Sequence, residues 1–377
     1  MDGNGKPGAI IVGPTPPPTH GLTIATERLL NSALRDRFEL THLDTSDRRD
    51  IGNMGRFDLI NICLAVKSIL GMAVYCLSKN PAIVYIPISQ SNAGYLRDGL
   101  LIAVGKLLSN ARIVIHLHGG YFRTFYDQTN FLMKRFIDLT MKSCDRVIVL
   151  GNCLKWIFDK WFDEQCIDVV PTGTAMRPKL DSKFSIQKDR YVITYLSNLL
   201  KTKGIVDTIE SVKHVTSKHE NVKYKIAGSW SNKEPETKSE CMRLLKANGI
   251  EDVVDILGVV TGDDKADLLI DTDIFVFPTY YPFEGHPAAI VEAMSAGCPV
   301  ISTKHAAIPE TVIDGETGIL VEKQNPQALA DAIARLMENP ELRVKMGRAG
   351  HERYRRLYTQ EKNIGNMTRV FERALAR

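Results

Sequence analysis

IFVFPTYYPFEGHPAAIVEAMSAGCPVISTKHAAIPETVIDGETGILVE, residues 274–322, is the stretch whose pattern decides the fold. Residues 274–277 form a short apolar run closed by Pro278, the mark of a buried strand. Turn-forming residues then lead to Pro287, a residue tolerated at the first position of a helix. Residues 288–296 read as that helix, Gly297 as its left-handed terminus, and 299–302 as the next strand. The order is strand, loop, helix, strand, with the loop at the carboxyl end of the first strand. Open parallel sheets bind ligands at that edge.

Two glutamates, Glu284 in the loop and Glu292 in the helix, are separated by seven residues. At 1.5 Å per residue Glu292 lies about 7–8 Å along the helix axis. Its neighbours at helical spacing, Ala288, Ala289, Ser295 and Ala296, are all small, so a ligand can approach that face. Pro287, Ile290, Val291 and Met294 form the opposite, sheet-facing side. The N–H groups of Gly285, His286, Ala288 and Ala289 suit a phosphate at the helix start. A diphosphate there leaves Glu292 about one sugar ring further along, near a ribose.

With its two glutamates, small-residue helix and Gly-Cys-Pro-Val strand, this unit resembles the donor-site signature of family 4 glycosyltransferases. The resemblance implies that Glu284 meets hydroxyls of a donor sugar and Glu292 the nucleotide ribose. It extends over nearly the whole chain. It implies an α/β fold of the GT-B class: two doubly wound, Rossmann-like domains facing across a cleft, with a C-terminal helix crossing back to the first. The expected domains are 1–172, joined by the helix at about 358–377, and 173–357. Acceptor binding falls to the first and nucleotide-sugar binding to the second.

Composition narrows the alternatives. The chain has 377 residues, 48 basic against 44 acidic, for a net charge of +4. That balance gives no basic surface for nucleic acid, and no nucleic-acid partner is expected. Seven cysteines without paired spacing point to reduced thiols and a cytoplasmic setting. The start, MDGNGKPGAIIV, lacks the layout of a signal peptide. The longest apolar run, 60–76, is interrupted by Lys67 and falls short of the roughly 18–20 residues that span a bilayer.

Upstream, residues 9–12 read as a first strand, followed by the proline-stiffened loop GPTPPPTHG (13–21) and a helix over 22–34. GxGxxG is absent there, which disfavours an NAD enzyme. Further strands are expected at 59–63, 83–86, 112–116 and 146–150, with helices between, as in a parallel sheet covered on both faces. HLHGGYFRTF follows the 112–116 strand and places His116, His118, Gly119 and Gly120 at a ligand-facing edge. By the resemblance, His118 is the catalytic-site histidine and His20, Gly21, Gly119 and Gly120 border the acceptor. Thr172 replaces the asparagine of the family's interdomain Pro-Asn-Gly.

A second alternating series starts at Tyr191. Lys203 and Gly204 precede a helix, so a lysine adds its charge to a phosphate site. The family's Gly-Arg-Leu is here Ser197-Asn198-Leu199, which leaves more of the diphosphate to Lys203. Strands at 223–227 and 253–257 end at Gly228 and at Val259 and Val260, which flank the nucleobase in the resembled architecture. Helices are expected over 327–337, 340–347 and 350–377.

The resemblance implies a retaining transferase that moves a sugar, UDP-linked by the commonest usage, to a hydroxyl of a glycan or lipid-linked glycan. Lys203 and the helix start would stabilise the departing diphosphate. A nucleotide-sugar epimerase of the same fold and a non-catalytic nucleotide-sugar-binding subunit stand as alternatives. No metal and no other cofactor is expected. Asp271-Thr272-Asp273 matches a manganese-binding triplet but sits at the amino end of the 274–277 strand, the wrong edge of the sheet. Aromatic and basic residues mix at 131–136 and 156–161, which makes a membrane surface a further expected partner.

Overall fold

A computed structural model of the chain describes residues 5–18, 20–49, 58–176, 178, 180, 183–186 and 188–376. The chain divides into two compact units, Met1–Pro171 with Glu361–Arg377, and Thr172–Gln360. Each holds a six-stranded sheet in which every described pairing is parallel.

In unit 1 the strands are β1 (Gly8–Gly13), β2 (Glu39–Asp44), β3 (Ile83–Ile88), β4 (Arg112–Leu117), β5 (Arg146–Val149) and β6 (Ile167–Val169), in the order β2-β1-β3-β4-β5-β6. Its helices are α1 (Gly21–Leu30), α2 (Leu59–Lys79), α3 (Asn92–Leu108), α4 (Phe122–Gln128) and α5 (Phe131–Met141). Unit 2 has β7 (Tyr191–Leu196), β8 (Val222–Ala227), β9 (Val254–Gly258), β10 (Ile274–Phe277), β11 (Val300–Thr303) and β12 (Gly318–Val321), ordered β12-β11-β10-β7-β8-β9. Between them run α6 (Ile205–Thr216), α7 (Pro235–Asn248), α8 (Gly262–Asp271), α9 (Ala288–Ser295), α10 (Ile308–Thr311), α11 (Pro326–Glu338) and α12 (Pro340–Leu357). The helix α13 (Gln360–Leu375) returns to unit 1, where Ile364, Met367, Val370 and Phe371 enter a core with Leu34, Phe38, Tyr85 and Val114.

Three departures from the sequence expectations have physical causes. Residues 59–63 are not a strand but the first turns of α2, whose amino end is capped by Asp58 accepting from the Asn61 amide at 2.7 Å. That helix is apolar on nearly every side, so its opening residues carry no helical period to distinguish them from a strand. The second strand is instead β2, an edge strand with mostly polar residues and only Leu43 buried. Gly347 and Gly350 do not end a helix; they lie inside the single helix α12. A Cβ at Gly347 would come within 2.3 Å of the Gly297 carbonyl oxygen, so glycine there serves close packing on the end of α9. Pro287 precedes α9 as its N-cap rather than occupying its first turn.

Candidate active site

In unit 2 the strand order reverses between β7 and β10, and the loops leaving their carboxyl ends lie side by side. Open sheets bind ligands at such a switch point. The β7 loop ends at Gly204 with φ +82, and a Cβ there would lie 2.4 Å from the carbonyl oxygen of Pro278 in the β10 loop. Only glycine permits that approach. It sets Lys203 beside Glu284: Nζ reaches Oε2 at 2.7 Å, and both side chains are largely shielded from water. Thr279 Oγ1 donates to the same carboxylate oxygen at 3.2 Å. The ammonium also lies 4.5 Å from the Tyr281 ring centre. Lys203 is therefore a cation fixed by its neighbours rather than a free charge at the start of α6.

Glu292 is held in the same manner. It is buried on α9, and Lys265 Nζ on α8 meets its Oε1 at 2.7 Å. The face of α9 expected to be open thus carries a second lysine that the sequence did not single out. Each glutamate commits one oxygen to its lysine; among the described residues the other oxygen, Oε1 of Glu284 and Oε2 of Glu292, has no partner. Two anchored carboxylates with an open acceptor each can receive hydroxyl groups.

At the start of α9 the amides of Gly285, His286, Ala288 and Ala289 donate to nothing among the described residues. Ala288 is exposed there. The His286 ring does not take part: it is buried 5.2 Å from the Tyr358 ring, and neither of its nitrogens has a partner. Its contribution to an anion site is its amide alone. Asn198 Oδ1 receives the Ser229 hydroxyl only at 3.5 Å, and Lys201 is turned to Glu240, leaving Lys203 as the cation directed at this loop pair. Gly228 closes β8 and Val259 and Val260 follow β9, at the same carboxyl edge; Val259 is exposed.

Burial lowers the His286 pKa to about 4, against a small opposing effect of Glu310. The folded pKa lies below the ordinary value of 6.5, so the stabilisation is complete above pH 6.5 and is lost as pH falls towards 4. The loss amounts to about 3 kcal/mol. In denaturant titrations at pH 7 and pH 4.5, His286→Leu should remove most of that fall for unit 2; an unchanged difference between the two pH values would dismiss the cause.

The Asp271-Thr272-Asp273 triplet stands at the amino end of β10. Asp273 accepts from the Val192 amide at 2.9 Å and pairs with Lys188 at 3.0 Å, closing the turn into the sheet. Asp271 is a surface partner of Lys225. Among the described residues no group of three or more His, Cys, Asp or Glu is placed to hold a metal. Asp271→Asn should change stability by less than about 1 kcal/mol, and Asp273→Asn should cost about 1–3 kcal/mol. Sugar transfer should persist in EDTA; activity lost on chelation, restored by manganese and absent in Asp271→Asn would reverse the assignment of the triplet.

In unit 1, His118 stacks on His116 with ring centres 3.9 Å apart, and the Tyr85 hydroxyl shares a 2.8 Å hydrogen bond with His116 Nδ1. Burial pushes the His118 pKa down to about 4, so its imidazole is neutral at pH 7. His118 lines a small cavity with Gly13, Gln90 and Asp98. A neighbouring cavity of about 360 Å³ includes His20, Ser89, Ser91 and Arg97 at the carboxyl edge of β1 and β3. Gly119 and Gly120 follow His118, and a Cβ at Gly21 would meet no atom within 4 Å. Tyr85, the partner of His116, carries no local signal, because it comes from β3.

Residues 176–353 match the family model described as Glycosyl transferases group 1. The capsular polysaccharide biosynthesis glycosyltransferase CapM of Staphylococcus aureus is 26% identical over 310 residues, which is 78% of each chain. The alpha-D-kanosaminyltransferase of Streptomyces kanamyceticus is 26% identical over 46% of this chain and 42% of its own. The sucrose-phosphate synthase of Thermosynechococcus elongatus superposes with a TM-score of 0.74 over 98% of this chain and 99% of that one, at 19% identity. Anabaena HepE, solved with UDP and glucose, has a TM-score of 0.72 over 98% and 100%, at 16% identity. These likenesses establish the GT-B fold.

Proposed function

This chain is a glycosyltransferase with a group 1 domain over residues 176–353, and from that we propose transfer of a sugar from a UDP-sugar to a hydroxyl of a glycan or lipid-linked glycan. The observation that carries the donor half is the Lys203–Glu284 pair beside the unpartnered amides at the start of α9. A cation and a row of N–H groups suit a diphosphate, and both are in place before it arrives. Glu284 then offers Oε1 to the sugar and Glu292 offers Oε2 to the ribose. HepE binds UDP and UDP-glucose, and TarM of S. aureus was solved with UDP and a glycan, which supports that donor and acceptor class. The name of CapM supports a place in polysaccharide biosynthesis.

We place the acceptor beside His118, His20 and Gly21 in unit 1, and retention of configuration follows the family. The seven unpaired cysteines agree with a cytoplasmic protein, working at the inner face of a membrane where lipid-linked glycans are presented. Thermal-shift titration with UDP, GDP and ADP tests the donor. UDP should raise the melting temperature at lower concentration than the other two, and Glu292→Gln should weaken that response. Stabilisation by GDP and not by UDP would overturn the choice of nucleotide.

A further inference from the structure

Right-handed connections decide which helices of unit 1 share a face. β1 to β2 runs towards one edge of the sheet, while β2 to β3, β4 and β5 runs towards the other. α2, α3 and α5 therefore lie together, opposite α1. α2 packs on α3, and α3 on α5. α2 buries one stripe, Ser68, Met72 and Cys76. Its opposite stripe, Leu59, Ile62, Val66, Leu70, Val74 and Leu77, recurs every three or four residues and stands 41–80% exposed. A solvated helix carries polar residues on that side. Among the described residues α2 is also the helix long and apolar enough to cross a membrane by length and composition.

Leu107 of α3 and Leu132 and Leu139 of α5 extend the apolar face. Its exposed charges are all positive: Lys67 and Lys79 on α2, Lys106 on α3 and Arg135 on α5. The two acids of these helices are engaged elsewhere. Asp98 is buried against the Ser89 amide and Arg97, and Asp138 accepts from Lys160 and the Trp161 indole. A second copy docked face to face would bring cations against cations with no free acid to meet them. An anionic lipid layer supplies both the hydrocarbon and the counter-charge.

The face also has a functional neighbour. Asn61, Leu64, Ala65 and Ser68 of α2 form part of the 360 Å³ cavity that holds His20. One helix thus has an apolar side in solvent and a side on the candidate acceptor cavity. We propose that the α2 face, widened by α3 and α5, seats this protein on an anionic membrane surface, with α2 lying in the plane of the headgroups. α2 does not cross the bilayer, because its buried stripe belongs to the fold of unit 1. That a seated surface hands acceptor to the cavity rests on the transfer reading above; the seating itself does not.

The test is flotation of the full chain with phosphatidylcholine vesicles, alone or with about one third phosphatidylglycerol, at low and high salt. The protein should float with the anionic vesicles and partly detach in high salt. Leu70→Glu with Val74→Glu should lower the bound fraction about tenfold or more with an unchanged melting temperature, since both positions are exposed. Lys67→Glu with Lys79→Glu should remove the preference for anionic vesicles. Protein that stays unbound with every vesicle, or a double glutamate variant that floats like the parent, would sink the proposal. So would a dimer in sedimentation that the glutamates dissolve while flotation is absent. Transfer to a short soluble glycan without vesicles reports on the donor and acceptor reading separately, so the two can fail independently.

Discussion

Lys203→Ala should lower the rate of sugar transfer by about 10²–10³, the usual cost of removing one fixed electrostatic donor from a transition state. Charge develops on the departing diphosphate, and the ammonium is already held in place by Glu284 and Thr279. The same geometry adds a second effect that the sequence alone did not disclose. With Lys203 gone, Glu284 keeps only the Thr279 hydroxyl in a shielded site, and an uncompensated charge of that kind costs roughly 3–5 kcal/mol. The single variant should therefore melt earlier as well as turn over slowly. Adding Glu284→Gln removes the stranded charge, so the double variant should recover stability without recovering activity. Near-normal turnover in a folded Lys203→Ala protein would end the assignment; recovery of activity in the double variant would show that the loss was structural.

The second large effect is expected at Gly228. Its φ of +147 lies outside the range that side chains favour, and an added Cβ would fall 1.7 Å from the Ser197 carbonyl oxygen. That overlap involves backbone on both sides, since Gly228 donates to the Gly258 oxygen at 2.7 Å and Ser197 donates to the Ala227 oxygen at 3.1 Å. No rotamer can relieve it. Gly228→Ala should destabilise unit 2 by about 4 kcal/mol or more, seen as loss of soluble protein or a sharply lowered melting temperature. Gly21→Ala is the control, because its Cβ would enter open space. Equal melting temperatures for the two variants would contradict the strain argument.

The strand–loop–helix–strand order at 274–303 was legible because the strands are pure apolar runs and the glycine and prolines between them have one use each. Gly297 does adopt the left-handed conformation, φ +71, that its place after the helix required. Glu284 and Glu292 were legible as a pair for the same reason, since loop and helix fix their spacing. Their partners were not. Lys203 is 81 residues from Glu284 and Lys265 is 27 from Glu292, and no local pattern marks a lysine as the one that folds onto a given carboxylate. The stacking of His118 on His116, and the Tyr85 hydroxyl beneath them, depend on neighbouring strands in the same way. α2 was misread for a different reason. Periodicity identifies a helix by contrast between a dry and a wet side, and here the wet side is apolar too.

α13 has a consequence for how the protein is made. Unit 1 is interrupted after Pro171 and completed only by Glu361–Arg377. Phe371 stands against Phe38 and Tyr85 at 5.5 and 5.9 Å, so a wall of that core is missing until α13 emerges. Ribosomes add about 5–20 residues per second, so synthesis of Thr172–Gln360 occupies on the order of tens of seconds. During that interval the nascent unit 1 exposes Leu34, Phe38 and Val114 as well as the α2 stripe. The order of translation thus leaves the first-made half of this protein dependent on holding factors until its second-made half has been completed.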